Sequence, residues 1–244
     1  MITVEWAFSL RVEEWVEPNL TTWAETIERN IDLPTTLSKD VIDLRKNVVF
    51  LKCPAHTNFM KNTFVFKSPI DINIEVDVDT DHANVWCDNI EQPLFNKMID
   101  LRFLNAKEFG SSPYPIIGID FLNTFKCDQS LSMSITPAHL HYNEFTTKAS
   151  VIPGSFDISR WTRPVECVFE VKKSQEKIQI KRGDALFYVK FDSETQIKLV
   201  KINTPWSDID VCAKLRADAP FKSLEYRYHS LEDYKKSITN DNNS

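Results

Sequence analysis

A chain of 244 residues with 42% hydrophobic content can bury a substantial core, and its formal net charge of −6 disfavours nucleic acid as a main partner. Its four glycines, Gly110, Gly118, Gly154 and Gly183, stand alone, which removes glycine-rich phosphate loops, and no Gly-x-Ser-x-Gly elbow occurs. The five cysteines are widely spaced with no Cys-x-x-Cys pair, and no apolar run nears the roughly 18 residues of a membrane span. The expectation is a soluble protein of a reducing compartment, with no membrane partner and with cysteines such as Cys167 and Cys212 serving as small buried residues.

In chain order, ITVEWAF reads as a strand. Thr22-Trp23-Ala24-Glu25 has the form of a capping box and opens a brief helix with Trp23, Ile27 and Ile31 on one side. Residues 33–47 read as an irregular polar connection, after which VVFLKC and NTFVFK are predicted to be paired strands bracketing Pro54 to Phe59. From Ile70 the alternation is strict, which predicts Ile72, Ile74 and Val76 in the core and Asp71, Glu75 and Asp77 outside. Further strands are predicted at ANVWC, MIDLRFL, IIGIDFLNTFK and LSMSIT, then at VECVFEV, KIQIKR, ALFYVKF and TQIKLVKI. Within VIPGSFDISRWTRP, Pro153-Gly154 is predicted to centre a tight turn with the glycine at positive φ. Thr204-Pro205 reads as a helix start, and Leu224, Tyr228, Leu231, Tyr234 and Ile238 repeat at helical spacing, so about 204–238 is expected to be helical. With no linker and no repeat, the fold class is mainly β: an antiparallel two-sheet sandwich or jelly roll, one domain over 1–244, with a short N-terminal helix and C-terminal helices.

Three clusters could carry chemistry. If Pro137 to Glu144 forms a strand and a bend, His139 and His141 share a face, and Glu144 could complete a set of two imidazoles and a carboxylate around iron or another divalent transition metal. This set is similar to the first motif of cupins. The second cupin motif, with its third histidine, is missing, because IKRGDALFYVKF has the Gly-Asp turn and no histidine. Asp77-Val78-Asp79-Thr80-Asp81 begins like a calcium loop, but its sixth position is His82 and its twelfth Asp88, so an acidic hairpin end is the better reading. Arg160, Trp161 and Arg163 could grip a carboxylate, phosphate or sugar, guanidinium offering a planar fork and indole a stacking face. The plainer reading has Trp161 closing the end of the sandwich and Asp157 pairing with an arginine.

Together, KNTFVFKSPIDINIEV, SVIPGSFDISRWTRP and IKRGDALFYVKF resemble an uncharacterised protein family of large tailed phages of marine bacteria, over roughly Val48 to Ile202. The resemblance implies a phage origin and expression in the host cytoplasm, with virion association as a further setting, and it implies no activity. The resulting expectation is a phage-encoded, non-catalytic binding or interaction module with no cofactor and a protein or small molecule as its partner. The alternative is a cupin-like metal-dependent enzyme, a non-haem iron oxygenase or isomerase, using His139, His141 and Glu144.

Overall fold

Two-residue alternation turns one face of each strand inward, and the computed structural model shows where those faces meet. It describes residues 1–8, 31–78, 83–102, 116–159, 165–171 and 176–202. The helices expected near Trp23 and over 204–238 lie outside the described residues, apart from Ile31, which packs against the main core.

The described chain is mainly β, in three sheets. The first runs β14 (Ile197–Lys201), β1 (Ile2–Phe8), β7 (Ile116–Lys126), β11 (Val165–Val171), β9 (Ala149–Val151), with β6 (Ile99–Arg102) also on β7. β11 occupies one edge of the long β7, and β1 and β6 share the other, β1 meeting residues 123–126 and β6 residues 116–119. The second sheet runs β10 (Gly154–Asp157), β8 (Ser132–Pro137), β13 (Ala185–Phe191), β3 (Thr63–Lys67), β2 (Thr35–Thr36). Inner faces of these two sheets meet through aromatic rings. Phe66 of β3 stacks on Phe187 at 5.0 Å and meets Trp6 of β1 and Phe125 of β7 edge-on, while Phe125 also reaches Phe191.

A third sheet, β12 (Glu176–Ile180), β4 (Ile72–Val78), β5 (Ala83–Cys87), grows out of the second. Lys67 pairs with Ala185 and Ile72 with Ile180, so β3–β4 and β12–β13 are halves of one antiparallel ribbon whose register carries through the break. At the break the Ser68 N–H donates to the Asp184 carbonyl and the Gly183 N–H to the Ser68 carbonyl. The Asp184 N–H also closes a turn on the Lys181 carbonyl at 2.9 Å. Gly183 has a φ of 90° at the third position of that turn, where a type II turn requires a positive value. KIQIKR and ALFYVKF are therefore consecutive strands of different sheets, and the turn between them bends the ribbon.

The positive φ expected at Gly154 is not found there. Gly154 opens β10 opposite Ile135, because the Ser132 to Ile135 segment of β8 offers it a strand to pair with. Two further expectations are corrected on the outer face of the second sheet. Residues 33–47 hold β2 and two short helices, α1 (Leu37–Asp40) and α2 (Ile42–Asn47). VVFLKC forms a 3-10 turn (Val49–Lys52) leading into α3 (Pro54–Met60), not a strand paired with NTFVFK. The residues explain it: Leu37 and Val41, four apart, both turn inward; Val49 and Phe50 are exposed while Leu51 is buried, which is no alternation; and Pro54 supplies the fixed φ of a first helical position. This layer buries Leu37, Val41 and Met60 against Val65 and Tyr188 in a second, smaller core. The main core draws on all three sheets and on α4 (Gln92–Met98) through Phe95 and Met98.

Candidate functional site

A pocket of about 150 Å³ opens between the inner faces of the first two sheets, beside the bend in the ribbon. Its position follows from local structure. At β13 the register slips between Ala185 and Phe187, so Leu186 and Phe187 both face the main core, and both line the pocket. The Lys181–Asp184 turn brings Arg182 to the mouth, where its main-chain N–H donates to Asp71 Oδ1 at 2.7 Å. Segment 31–35 forms one wall, with Asp32 exposed at the rim.

On the opposite wall, β7 turns Ile117, Ile119, Phe121, Asn123 and Phe125 inward, and all five are buried. Asn123, 3% exposed, is the polar member of that row. Its Oδ1 accepts the Trp6 indole N–H at 3.1 Å. Since an indole nitrogen can only donate, this bond fixes the amide's orientation and leaves Nδ2 as the donor still to be used. Among the described residues Nδ2 meets no acceptor, and it is not sealed from the pocket. The pocket thus combines aromatic walls with one deep donor. Sequence reading did not single out Asn123 or Trp6; the available signal was an asparagine at an inward position of an otherwise apolar strand row.

The sequence-derived candidates are placed differently. Arg160, Trp161 and Arg163 lie outside the described residues, as do Asp79 to His82 of the calcium-like loop. The carboxylate of Asp157 accepts from Ser130 and from both the N–H and the hydroxyl of Ser159, and the arginines expected beside it lie outside the described residues. His139 and His141 do not share a strand face. β8 ends at Pro137, and the chain turns there, the His139 N–H donating to Pro137 and the His141 N–H to Ala138. Glu144 begins α5 (Glu144–Lys148), whose Asn143 cap and Thr146 bond each other's main-chain N–H groups reciprocally. From there the Glu144 carboxylate accepts from Lys148 at 2.8 Å and from the Gln179 N–H at 3.0 Å, and these bonds hold it below the usual carboxylate range. Among the described residues no three His, Cys, Asp or Glu side chains are grouped to hold a metal.

His141 belongs instead to a structural relay. The Leu140 N–H donates to the Tyr188 oxygen at 3.0 Å, and the same hydroxyl is hydrogen-bonded to His141 Nδ1 at 2.7 Å. On the other side of the ring, Nε2 donates to the Asp40 carboxylate at 2.6 Å. Asp40 also receives Lys67 at 2.6 Å. Tyr188 is fully buried, and burial pushes its hydroxyl pKa up, so the row pins α1 to the second sheet. Tyr188→Phe strands the Leu140 N–H and His141 Nδ1, and a loss of about 1–3 kcal/mol is expected in urea denaturation; an unchanged midpoint would refute the relay. Burial opposes the Asp40 charge, but Lys67 and His141 outweigh it and its pKa falls below 3.8. Its contribution is therefore present above the unfolded value and lost as pH falls through the lower folded one. Asp40→Asn is expected to flatten the decline of stability below about pH 4, and identical acid limbs would contradict this.

Comparison with protein-family models, curated proteins and solved structures gives no match to this chain. Among the described residues no helix is long and apolar enough to cross a membrane.

Proposed function

We propose that the protein is a non-catalytic binding module whose ligand is a small molecule held in the pocket between the first two sheets. The observation that carries this reading is the Asn123 amide: the residue is buried and lines the pocket, its oxygen is taken by Trp6, and among the described residues its nitrogen meets no acceptor. A ligand that closes the pocket over this nitrogen without offering an acceptor would strand a donor at a cost of about 1–3 kcal/mol, so the site favours a ligand that brings one. Concave, mostly apolar surroundings with few polar groups are what small-molecule sites present. The setting suggested by the three sequence motifs is a phage protein in the cytoplasm of an infected bacterium or on the particle, and it rests on those motifs alone.

The pocket carries its own reporter. The Trp6 indole N–H, bonded to Asn123, is expected to shift in ¹H–¹⁵N spectra when compounds from a ring-sized fragment library bind, with a parallel rise in melting temperature. The signal is identified by its absence in Trp6→Phe. A library whose binders all leave that resonance in place, or that yields no binder, would refute the proposal.

A further inference from the structure

We infer that the pocket, on the small-molecule reading above, takes a neutral single-ring aromatic compound with a carbonyl oxygen on its buried end. Size comes first. About 150 Å³ is room on the order of one benzene-sized ring with a small substituent. Trp6, Phe66, Phe121 and Phe187 line it, and flat aromatic walls favour a flat partner through stacked and edge-on contacts.

The deep end decides the polar group. Trp6 consumes the oxygen of Asn123, so what the amide presents is a donor. An apolar group placed there leaves that donor unpaired in a dry site, and a group that only donates opposes it. A carboxylate would be buried against one neutral N–H, which does not offset the loss of its hydration. A neutral carbonyl oxygen is satisfied by a single donor. The mouth does not select an anion either. Lys67 is already neutralised by Asp40 at 2.6 Å, and Asp32 stands on the same rim as Arg182. This mixture of charges accommodates a polar tail in solvent without fixing its sign.

Acetophenone, α-methylstyrene and benzoate separate the possibilities. The first two share a shape and differ by C=O against C=CH₂, and the third replaces the neutral carbonyl with an anion. Titrated into the full ¹⁵N-labelled chain, acetophenone is expected to move the Trp6 indole signal, shift the Asn123 side-chain amide protons downfield, and bind about tenfold tighter than either other probe. Asn123→Asp keeps an oxygen for Trp6 and removes the donor, so the preference for acetophenone over α-methylstyrene is expected to vanish. Should that variant fail to fold, the ranking in the wild-type chain decides alone. Equal or tighter binding of α-methylstyrene or benzoate, with the Trp6 signal moving, overturns the carbonyl assignment and leaves the pocket standing. If no probe moves the Trp6 signal, the pocket itself is refuted.

Discussion

Replacing Asn62 with alanine is expected to cost about 3–5 kcal/mol, through lost hydrogen bonds and backbone strain together. Asn62 follows α3 with φ at 55°, in the left-handed region that asparagine tolerates and alanine resists by about 1 kcal/mol. Its side chain then reaches across more than a hundred residues. Nδ2 donates to the carbonyls of Ser193 and Thr195 at 2.7 and 2.8 Å, and Oδ1 accepts the buried Ile197 N–H at 2.9 Å. One residue thus moulds the turn that passes the chain from β13 to β14. Alanine deletes all three bonds and leaves the Ile197 N–H without an acceptor. Asn62→Gly separates the two terms, because glycine accepts the backbone and not the bonds; it should recover about 1 kcal/mol relative to alanine. Urea denaturation measures both, and a loss below about 1 kcal/mol for Asn62→Ala would show the bonds to be dispensable. The consequence reaches the pocket. β14 lies beside β1, the strand that carries Trp6, so loosening the turn loosens the residue that orients Asn123.

Strands were legible wherever alternation ran for five residues or more. β1, β4, β5, β7, β11 and β14 all fall within runs that the sequence marks, since a half-buried strand writes its two faces in period two. The helical layer was not legible. α1, α2 and α5 are four to six residues long, too short for a helical stripe to repeat, and α5 depends on an Asn143–Thr146 box that differs from the Ser/Thr–Glu form used to recognise helix starts. Gly183 and Gly154 show the same limit from another side. Both sit in turn-like contexts, but the positive φ arises from the ribbon break across from Ser68, a partner more than a hundred residues away. The pocket was hidden for a related reason: its donor is defined by Trp6 and Asn123 together, and neither residue is informative until β1 and β7 are seen to be neighbours. The histidine pair drew notice because two ligand-type residues stand close in sequence; the structure spends His141 on holding a helix.

Ile74→Asp is expected to abolish the native fold. Ile74 sits at the middle of β4, the central strand of the third sheet, 1% exposed and directly opposite both Ile178 and Cys87. Truncating a buried isoleucine alone costs about 2–5 kcal/mol, and the new carboxylate would lie among the apolar side chains of the main core, so several kcal/mol more are lost to its desolvation. The total matches or exceeds the 5–15 kcal/mol that holds an ordinary domain together. One place along the strand the outcome reverses. Glu75 faces outward, pairs with Lys177 at 2.9 Å and accepts the Trp86 indole N–H at 3.2 Å. Glu75→Lys sets lysine against lysine, yet the pair is partly solvated and the cost should stay below about 1 kcal/mol, with Lys177→Glu restoring it. Circular dichroism and gel filtration distinguish the pair: Ile74→Asp aggregated or unfolded, Glu75→Lys native. A native Ile74→Asp within about 1 kcal/mol of the parent would mean that β4 can slip by one residue and exchange its faces, which the shared register of the ribbon forbids.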